Sequence, residues 1–159
     1  MKLHSTFSSQ SQLTQLEITG QQLTGDSLDL FCTVFKENKK ISKLLLSDNQ
    51  LGLGQNMEQK MKYFLESFLN DLFSPLELDL SYNRIKEDSL RPIIEQIFAN
   101  TKAMALNLLN LEWNDFSNYS KRTILVAYSR CRNKKLQFKF GPLPMSQATL
   151  RKAVAVTQS

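Results

Sequence analysis

The sequence predicts an α/β fold in which short parallel strands alternate with helices and successive units stack side by side. One observation is a motif that occurs four times: apolar, two variable residues, apolar, one variable, apolar, two variable, asparagine (glutamine in the first copy), one variable, apolar. Another is the apolar spacing of three and four residues between the copies, which is typical of a helix with one buried side. Regular self-similarity indicates a repeat architecture in which neighbouring units share one core.

Each copy of the motif predicts a strand followed by a tight turn. The copies are Leu13, Leu16, Ile18, Gln21 and Leu23; Ile41, Leu44, Leu46, Asn49 and Leu51; Pro75, Leu78, Leu80, Asn83 and Ile85; and Leu106, Leu109, Leu111, Asn114 and Phe116. We expect the apolar positions to point into the core. The asparagine amide can pair with backbone groups buried in the turn, because it carries both donors and an acceptor. In the first copy Gln21 carries the same amide on a longer stem.

The intervals between the motifs predict four helices. The first contains Leu28, Phe31, Cys32 and Phe35; the second runs from Met57 to Phe73 after a glycine-containing loop; the third contains Leu90, Ile93, Ile94, Ile97 and Phe98; the fourth spans Ser117 to Cys131. We expect Asp26 to cap the first helix and Asp88 or Ser89 to cap the third, since a short side-chain oxygen can accept an unpaired N–H. Pro92 is expected in the first turn of the third helix, where a missing N–H costs little.

The remaining segments set the expected domain boundaries. Residues 1–12 are polar, lack the apolar block of a secretory signal, and are predicted to be a disordered tail. Residues 13–156 are predicted to form one domain, closed by a strand over Leu136–Phe140, a turn at Gly141–Pro144 and a short capping helix from Ser146 to Val156. Residues 157–159 are expected to be loose.

The pattern resembles the ribonuclease-inhibitor-like class of leucine-rich repeats, the long, helix-bearing kind, over Leu13 to Lys135. The resemblance implies a solenoid of four repeats plus a C-terminal cap, with the parallel sheet on the concave face and the helices on the convex face. Proteins of this class are binding scaffolds: inhibitors, regulators of small GTPases, innate-immune sensors and secreted bacterial effectors. This chain departs from the class in being short and in having uneven repeat lengths.

The sequence offers few residues for chemistry. His4 is the only histidine and lies in the expected tail, where no base would be held near a nucleophile. Cys32 and Cys131, the only cysteines, are expected to be separate thiols in the apolar core or half-buried, which favours a reducing compartment. Gly52 and Gly54 lack the rest of a phosphate-binding motif. We therefore expect no enzyme activity, no catalytic residue, no metal and no cofactor.

Strand positions that alternate with the core leucines predict a partner-binding face. Its candidate residues are Glu17, Lys43, Leu45, Asp48, Glu77, Asp79, Tyr82, Asn110, Glu112 and Trp113. The stacking of units places Tyr82 and Trp113 side by side. The face is acidic although the chain carries a net charge of +5, so we expect a protein partner with a basic surface. The alternative is that Trp113 packs on the next strand and the carboxylates are merely solvated.

A basic cluster near the C-terminus leaves a second interpretation open. It comprises Arg130, Arg132, Lys134, Lys135 and Lys139, and Arg151 and Lys152 follow. These cations either complement the end of the last helix or support weak contact with an anionic membrane. Aromatic residues are not interleaved among the first four, so nucleic acid is not expected.

The resemblance also bears on where the protein acts. The short array and the composition rich in lysine, asparagine, serine and glutamine are similar to those of bacterial effectors. This implies a cytoplasmic protein or, for an effector, one secreted into the host cytosol. The sequence leaves the oligomeric state open.

Overall fold

The computed structural model describes residues 13–69 and 76–141, and these residues form an α/β fold around one parallel sheet. The strands are β1 (Gln15–Glu17), β2 (Lys43–Leu45), β3 (Leu76–Asp79), β4 (Leu106–Asn110) and β5 (Gln137–Lys139). They lie in the order of the sequence, and every neighbouring pair is parallel. The predicted parallel sheet is therefore confirmed, including the final strand.

Helical segments connect consecutive strands. They are α1 (Ser27–Glu37), α2 (Met57–Phe68), a 3₁₀ turn (Glu87–Ser89) continued by α3 (Leu90–Ile93) and a π-helical turn (Ile94–Phe98), a second 3₁₀ turn (Thr101–Ala105) and α4 (Asn118–Arg130). Pro92 lies early in the third helical segment, as its missing N–H requires. The predicted helices are confirmed where the structure describes them. Phe73 and Pro75 lie outside the described residues.

The caps expected from the sequence, Asp26 and Asp88 or Ser89, are wrong, and the cap of α4 that the structure shows is a residue not predicted as one. Ser117 caps α4, because its hydroxyl accepts the backbone N–H of Ser120 at 3.2 Å. Asp26 precedes α1 but accepts no capping bond, since its carboxylate instead pairs with the ammonium group of Lys60. Neither Asp88 nor Ser89 caps the third segment; the buried Ser89 hydroxyl bonds the Asp88 carboxylate.

The core lies between the sheet and the helices. The register aligns Leu16, Leu44, Leu78, Leu109 and Phe138 in one row across the five strands. The last four of these side chains are buried, while Leu16 on the edge strand is partly buried. Burying each large apolar side chain contributes about 1.5–3 kcal/mol, so this row is a major source of stability.

The motif asparagines connect each unit to the one before it. The Asn49 Oδ1 atom accepts the backbone N–H groups of Gln21 and Leu23 at 3.0 and 3.1 Å. Its Nδ2 atom donates to the Ile18 carbonyl at 2.8 Å. This confirms that the asparagine amides pair with buried backbone groups. Gln21 is different, because its side chain is exposed and donates to the Thr19 carbonyl.

The cysteines agree with the sequence interpretation. Cys131 is buried, Cys32 is half-buried, and burial raises the pKa of both thiols. No helix in the described ranges is long and apolar enough to span a bilayer. The expected tails at residues 1–12 and 157–159, the turn beyond Gly141 and the capping helix at 146–156 lie outside the described residues.

Candidate functional site

The helices of residues 13–69 and 76–141 leave one face of the sheet uncovered, and we call it the open face. The strand register arranges its side chains in rows. The first row is Gln15, Lys43, Glu77, Leu108 and Gln137, and the second is Glu17, Leu45, Asp79, Asn110 and Lys139. Beyond the carboxyl ends of β1–β4 follow Thr19, Ser47, Ser81 and Glu112, and then Gly20, Asp48, Tyr82 and Trp113. The open face thus brings together all ten sequence-predicted residues.

The last of these rows has an unusual backbone. Gly20, Asp48, Tyr82 and Trp113 have φ values of 68°, 55°, 54° and 58°. This left-handed conformation suits glycine, but it costs a residue with a Cβ roughly 1–2 kcal/mol. The repeated turn imposes the conformation at every copy. Bulky aromatic residues are rare there, so something other than local backbone preference must account for Tyr82 and Trp113.

Tyr82 and Trp113 form one aromatic surface. Their ring centroids are 5.5 Å apart and their planes differ by 15°, which is a stacked arrangement. Tyr82 remains 50% exposed and Trp113 61% exposed. The prediction that the rings lie side by side is confirmed. The alternative, that Trp113 is absorbed by packing on the next strand, does not fit this exposure.

The carboxylates of the open face differ in their partners. Glu77 forms a salt bridge with Lys43 at 3.3 Å. Among the residues that the structure describes, the donors to the Asp79 carboxylate are neutral: Ser81 N–H and Oγ at 2.9 and 2.6 Å, and Asn110 Nδ2 at 3.1 Å. Within the described part of the chain, Glu17, Asp48, Asp79 and Glu112 have no salt bridge. Their negative charge is therefore uncompensated by a contacting cation there.

Asn110 has a different position from the one expected of a partner-binding residue. It lies on the open face but is only 7% exposed. Its amide donates to Asp79, and its Oδ1 atom accepts the backbone N–H of Glu112 at 3.1 Å. Asn110 therefore supports neighbouring groups instead of presenting itself to a partner. Leu45 and Lys43 are half-buried.

The structure also divides the basic C-terminal cluster. Lys139 lies on the open face opposite Asn110, a place that alternation along β5 could have indicated. Arg130 and Arg132 instead line a groove of about 380 Å³ between helical segments, with Ile94, Phe98, Val126 and Ala127 among its walls. Lys139 therefore does not share a surface with Arg130 and Arg132, while Arg151 and Lys152 lie outside the described residues.

The charge of the open face follows from these positions. Its residues in the described ranges carry five carboxylates, Glu17, Asp48, Glu77, Asp79 and Glu112, against the two ammonium groups of Lys43 and Lys139. In the same ranges, no three or more His, Cys, Asp or Glu side chains are grouped to hold a metal ion. The open face can thus offer aromatic contact area and acidic hydrogen-bond acceptors.

Comparison with models of known protein families finds no match to this chain, and a search of curated proteins finds none either.

Proposed function

We propose that this protein is a leucine-rich-repeat module of the ribonuclease-inhibitor-like class that binds a partner protein through its open, concave face. The support for the repeat class is the alignment of the motif leucines in one buried row and the bonding of each motif asparagine to the preceding unit. In such folds the exposed face of the sheet is an extended binding surface. We propose a binding role and not an enzymatic one.

The observation that carries the proposal is the exposed stack of Tyr82 on Trp113. Two large side chains at strained backbone positions leave roughly half of their surface in water. Such exposure is unfavourable for apolar rings, and burial against a partner would recover it. Tyrosine and tryptophan are also enriched among residues whose truncation costs about 2 kcal/mol or more of binding free energy.

The charge of the open face supports a basic partner surface. Glu17, Asp48 and Glu112 lack salt bridges within the described residues. Asp48 and Glu112 lie at positions next to Tyr82 and Trp113, while Glu17 ends the edge strand β1. Uncompensated carboxylates attract and orient cations as a complex forms. A standard interface covers about 800 Å² on each partner, which a face of five strands and their turns can supply.

The membrane alternative has weaker support. It needs several cations acting together at one surface, because each contributes only about 1 kcal/mol near an anionic bilayer. Lys139 is instead separated from Arg130 and Arg132 by its position on the open face. The resemblance alone is the basis for proposing a cytoplasmic location. For a bacterial effector, that location would be the cytosol of the host cell.

The test is capture of partners on three immobilised proteins: the unmodified chain, the Tyr82→Ala/Trp113→Ala double variant, and a matched control. The control is Tyr63→Ala/Tyr119→Ala, which removes two exposed aromatic residues from α2 and α4. We expect one set of proteins to bind the unmodified chain and the control and to be lost from the open-face variant. Equal recovery on all three would reject the open face as the binding surface.

A vesicle assay separates the membrane alternative. Vesicles containing phosphatidylserine are sedimented with the unmodified chain and with the open-face double variant at low and high salt. Salt-sensitive co-sedimentation that survives in the double variant would favour membrane attachment. We expect no co-sedimentation with either protein.

A further inference from the structure

We infer that the group recognised beside the aromatic stack is an arginine side chain of the partner, with its guanidinium lying against Tyr82 and paired with Asp48. This inference depends on the proposed function, because it specifies the chemistry by which the open face binds a basic surface. It follows from three neighbouring positions at the carboxyl ends of β2, β3 and β4.

Backbone bonds hold these positions next to one another. The Asp48 N–H donates to the Ser81 carbonyl at 3.1 Å, and the Asn49 N–H donates to the Tyr82 carbonyl at 3.2 Å. The Tyr82 N–H in turn donates to the Glu112 carbonyl at 3.0 Å. Asp48, Tyr82 and Trp113 therefore follow one another at about the 4.8 Å spacing of adjacent strands.

This order leaves space on one side of the tyrosine ring. Trp113 covers one face of Tyr82, so the opposite ring face is turned toward the unit that carries Asp48. The Asp48 carboxylate lies toward Gly20, where a Cβ atom would be only 3.5 Å from Oδ2. In the complex that we infer, the guanidinium lies over the tyrosine and its N–H groups bond this carboxylate.

The surroundings of this space favour a guanidinium. The face of an aromatic ring attracts cations, and arginine is found there more often than lysine. A guanidinium is planar and weakly hydrated, so it can stack on the ring while its N–H groups bond a carboxylate in the same plane. An ammonium group is a hydrated point charge and gains less from a flat surface. A nucleobase would also stack, but its phosphate would meet the uncompensated carboxylates.

Trp113 allows a direct test because it is the only tryptophan in the chain. Its fluorescence is followed while three peptides are titrated: acetyl-Gly-Arg-Gly-Arg-Gly amide, the same peptide with lysine, and the same peptide with citrulline, which is planar but neutral. We expect the arginine peptide to bind about fivefold more tightly than the lysine peptide and about tenfold more tightly than the citrulline peptide.

Two carboxylate variants locate the contact. Asp48→Asn should remove most of the preference for arginine over lysine, and it should fold because asparagine tolerates the left-handed conformation. Asp29→Asn, which neutralises an exposed carboxylate of α1 away from the open face, is the matched control and should keep the preference. Equal affinity for the arginine and lysine peptides, no binding of either, or an unchanged preference in Asp48→Asn would each overturn the inference.

Different results would reject the arginine site and the proposed binding function. If partner capture is lost in Tyr82→Ala/Trp113→Ala but the arginine and lysine peptides bind alike, the open face binds partners without an arginine site. If capture is the same on all three immobilised proteins, the proposed function itself is wrong.

Discussion

The side-chain oxygen of Asn114 accepts the backbone N–H of Asn83 at 3.1 Å, so the Asn114 side chain is fixed against the turn that contains Asn83. The same oxygen accepts the Ile85 N–H at 2.9 Å, while the Asn114 amide donates to the Leu80 carbonyl at 2.9 Å. One polar side chain thus satisfies three backbone groups of the preceding unit. The turn of one unit therefore has its full set of hydrogen bonds only when the next unit is in place.

Replacing Asn83 with alanine should strongly destabilise the fold. Asn83 is fully buried and bonds the Leu51 N–H at 3.3 Å and the Leu46 and Ser81 carbonyls at 2.7 and 2.9 Å. The variant leaves these groups unsatisfied, so we expect the free energy of unfolding to fall by about 2–4 kcal/mol in urea titrations. Gln59→Ala, an amide deletion at an exposed site of α2, should change it by less than about 0.5 kcal/mol. A similar small effect for Asn83→Ala would contradict the structural role of the asparagines.

Gly52→Ala should also be poorly tolerated, for a steric reason. A Cβ at Gly52 would lie 2.2 Å from the Arg84 carbonyl oxygen and 2.6 Å from the Ile85 Cα atom. Both atoms belong to the backbone of the next unit, which cannot yield as a side-chain end would. We expect a loss of about 3 kcal/mol or more in chemical unfolding.

Gly20→Ala is the matched comparison for Gly52→Ala. It has a positive φ of 68°, but a Cβ there would make only ordinary contact with Asp48. Its expected cost is about 1–2 kcal/mol. If both substitutions cost the same, close approach of the backbone at Gly52 is not the reason for glycine there.

Glu87 should make the stability depend on pH in the acid range. The backbone N–H of Ser117 donates to its carboxylate at 2.6 Å, and this bond is the main cause that lowers the Glu87 pKa to about 2. The folded state thus holds the ionised form more strongly than the unfolded state does. The resulting stability is present above pH 4.5 and is lost as the pH falls toward 2.

The test compares the unmodified chain with Glu87→Gln in urea at pH 5.5 and pH 2.5. The difference in unfolding free energy between the two proteins is the readout, because all other titrating groups are shared. We expect it to be larger at pH 5.5. A difference that does not change with pH would mean that the Glu87–Ser117 bond is absent in solution.

Trp113→Asn should separate binding from stability. Asparagine relieves the left-handed strain, worth roughly 1–2 kcal/mol, while the variant loses a ring stack worth about 0.5–1.5 kcal/mol. We therefore expect the free energy of unfolding to stay within about 1 kcal/mol of the unmodified chain, while partner capture is lost. Leu111→Ala, two residues earlier and buried, should instead cost about 2–5 kcal/mol. A loss of similar size for Trp113→Asn would make the tryptophan a structural residue.

Parts of the site could be read from the sequence because strands alternate and the units share one register. That logic places Glu17, Asp79 and Glu112 on the open face, and it sets Tyr82 beside Trp113. It could not foresee that Asn110 would be buried between the groups it supports, or that Glu77 would pair with Lys43. Those outcomes depend on side-chain rotamers and on neighbours from other strands.

The helix caps also show that the sequence does not predict contacts between residues far apart along the chain. Ser117 caps α4 by accepting the N–H of Ser120, three residues away, whereas Asp26, which was expected to cap α1, pairs with Lys60 of the next helix. A cap involves residues two or three apart, but an ion pair between helices joins residues far apart in sequence. Local chemistry therefore decides only when no stronger distant partner competes for the same side chain.

The sequence by itself determined the parallel sheet, the order of its elements and the buried row of leucines, because apolar periodicity acts through the local geometry of strands and helices. Only the tertiary structure decided the division of the basic cluster, the burial of Asn110 and the stacking geometry of Tyr82 on Trp113. Those features arise from contacts between units roughly 30 residues apart, where the fold brings together side chains that the sequence spacing alone does not orient.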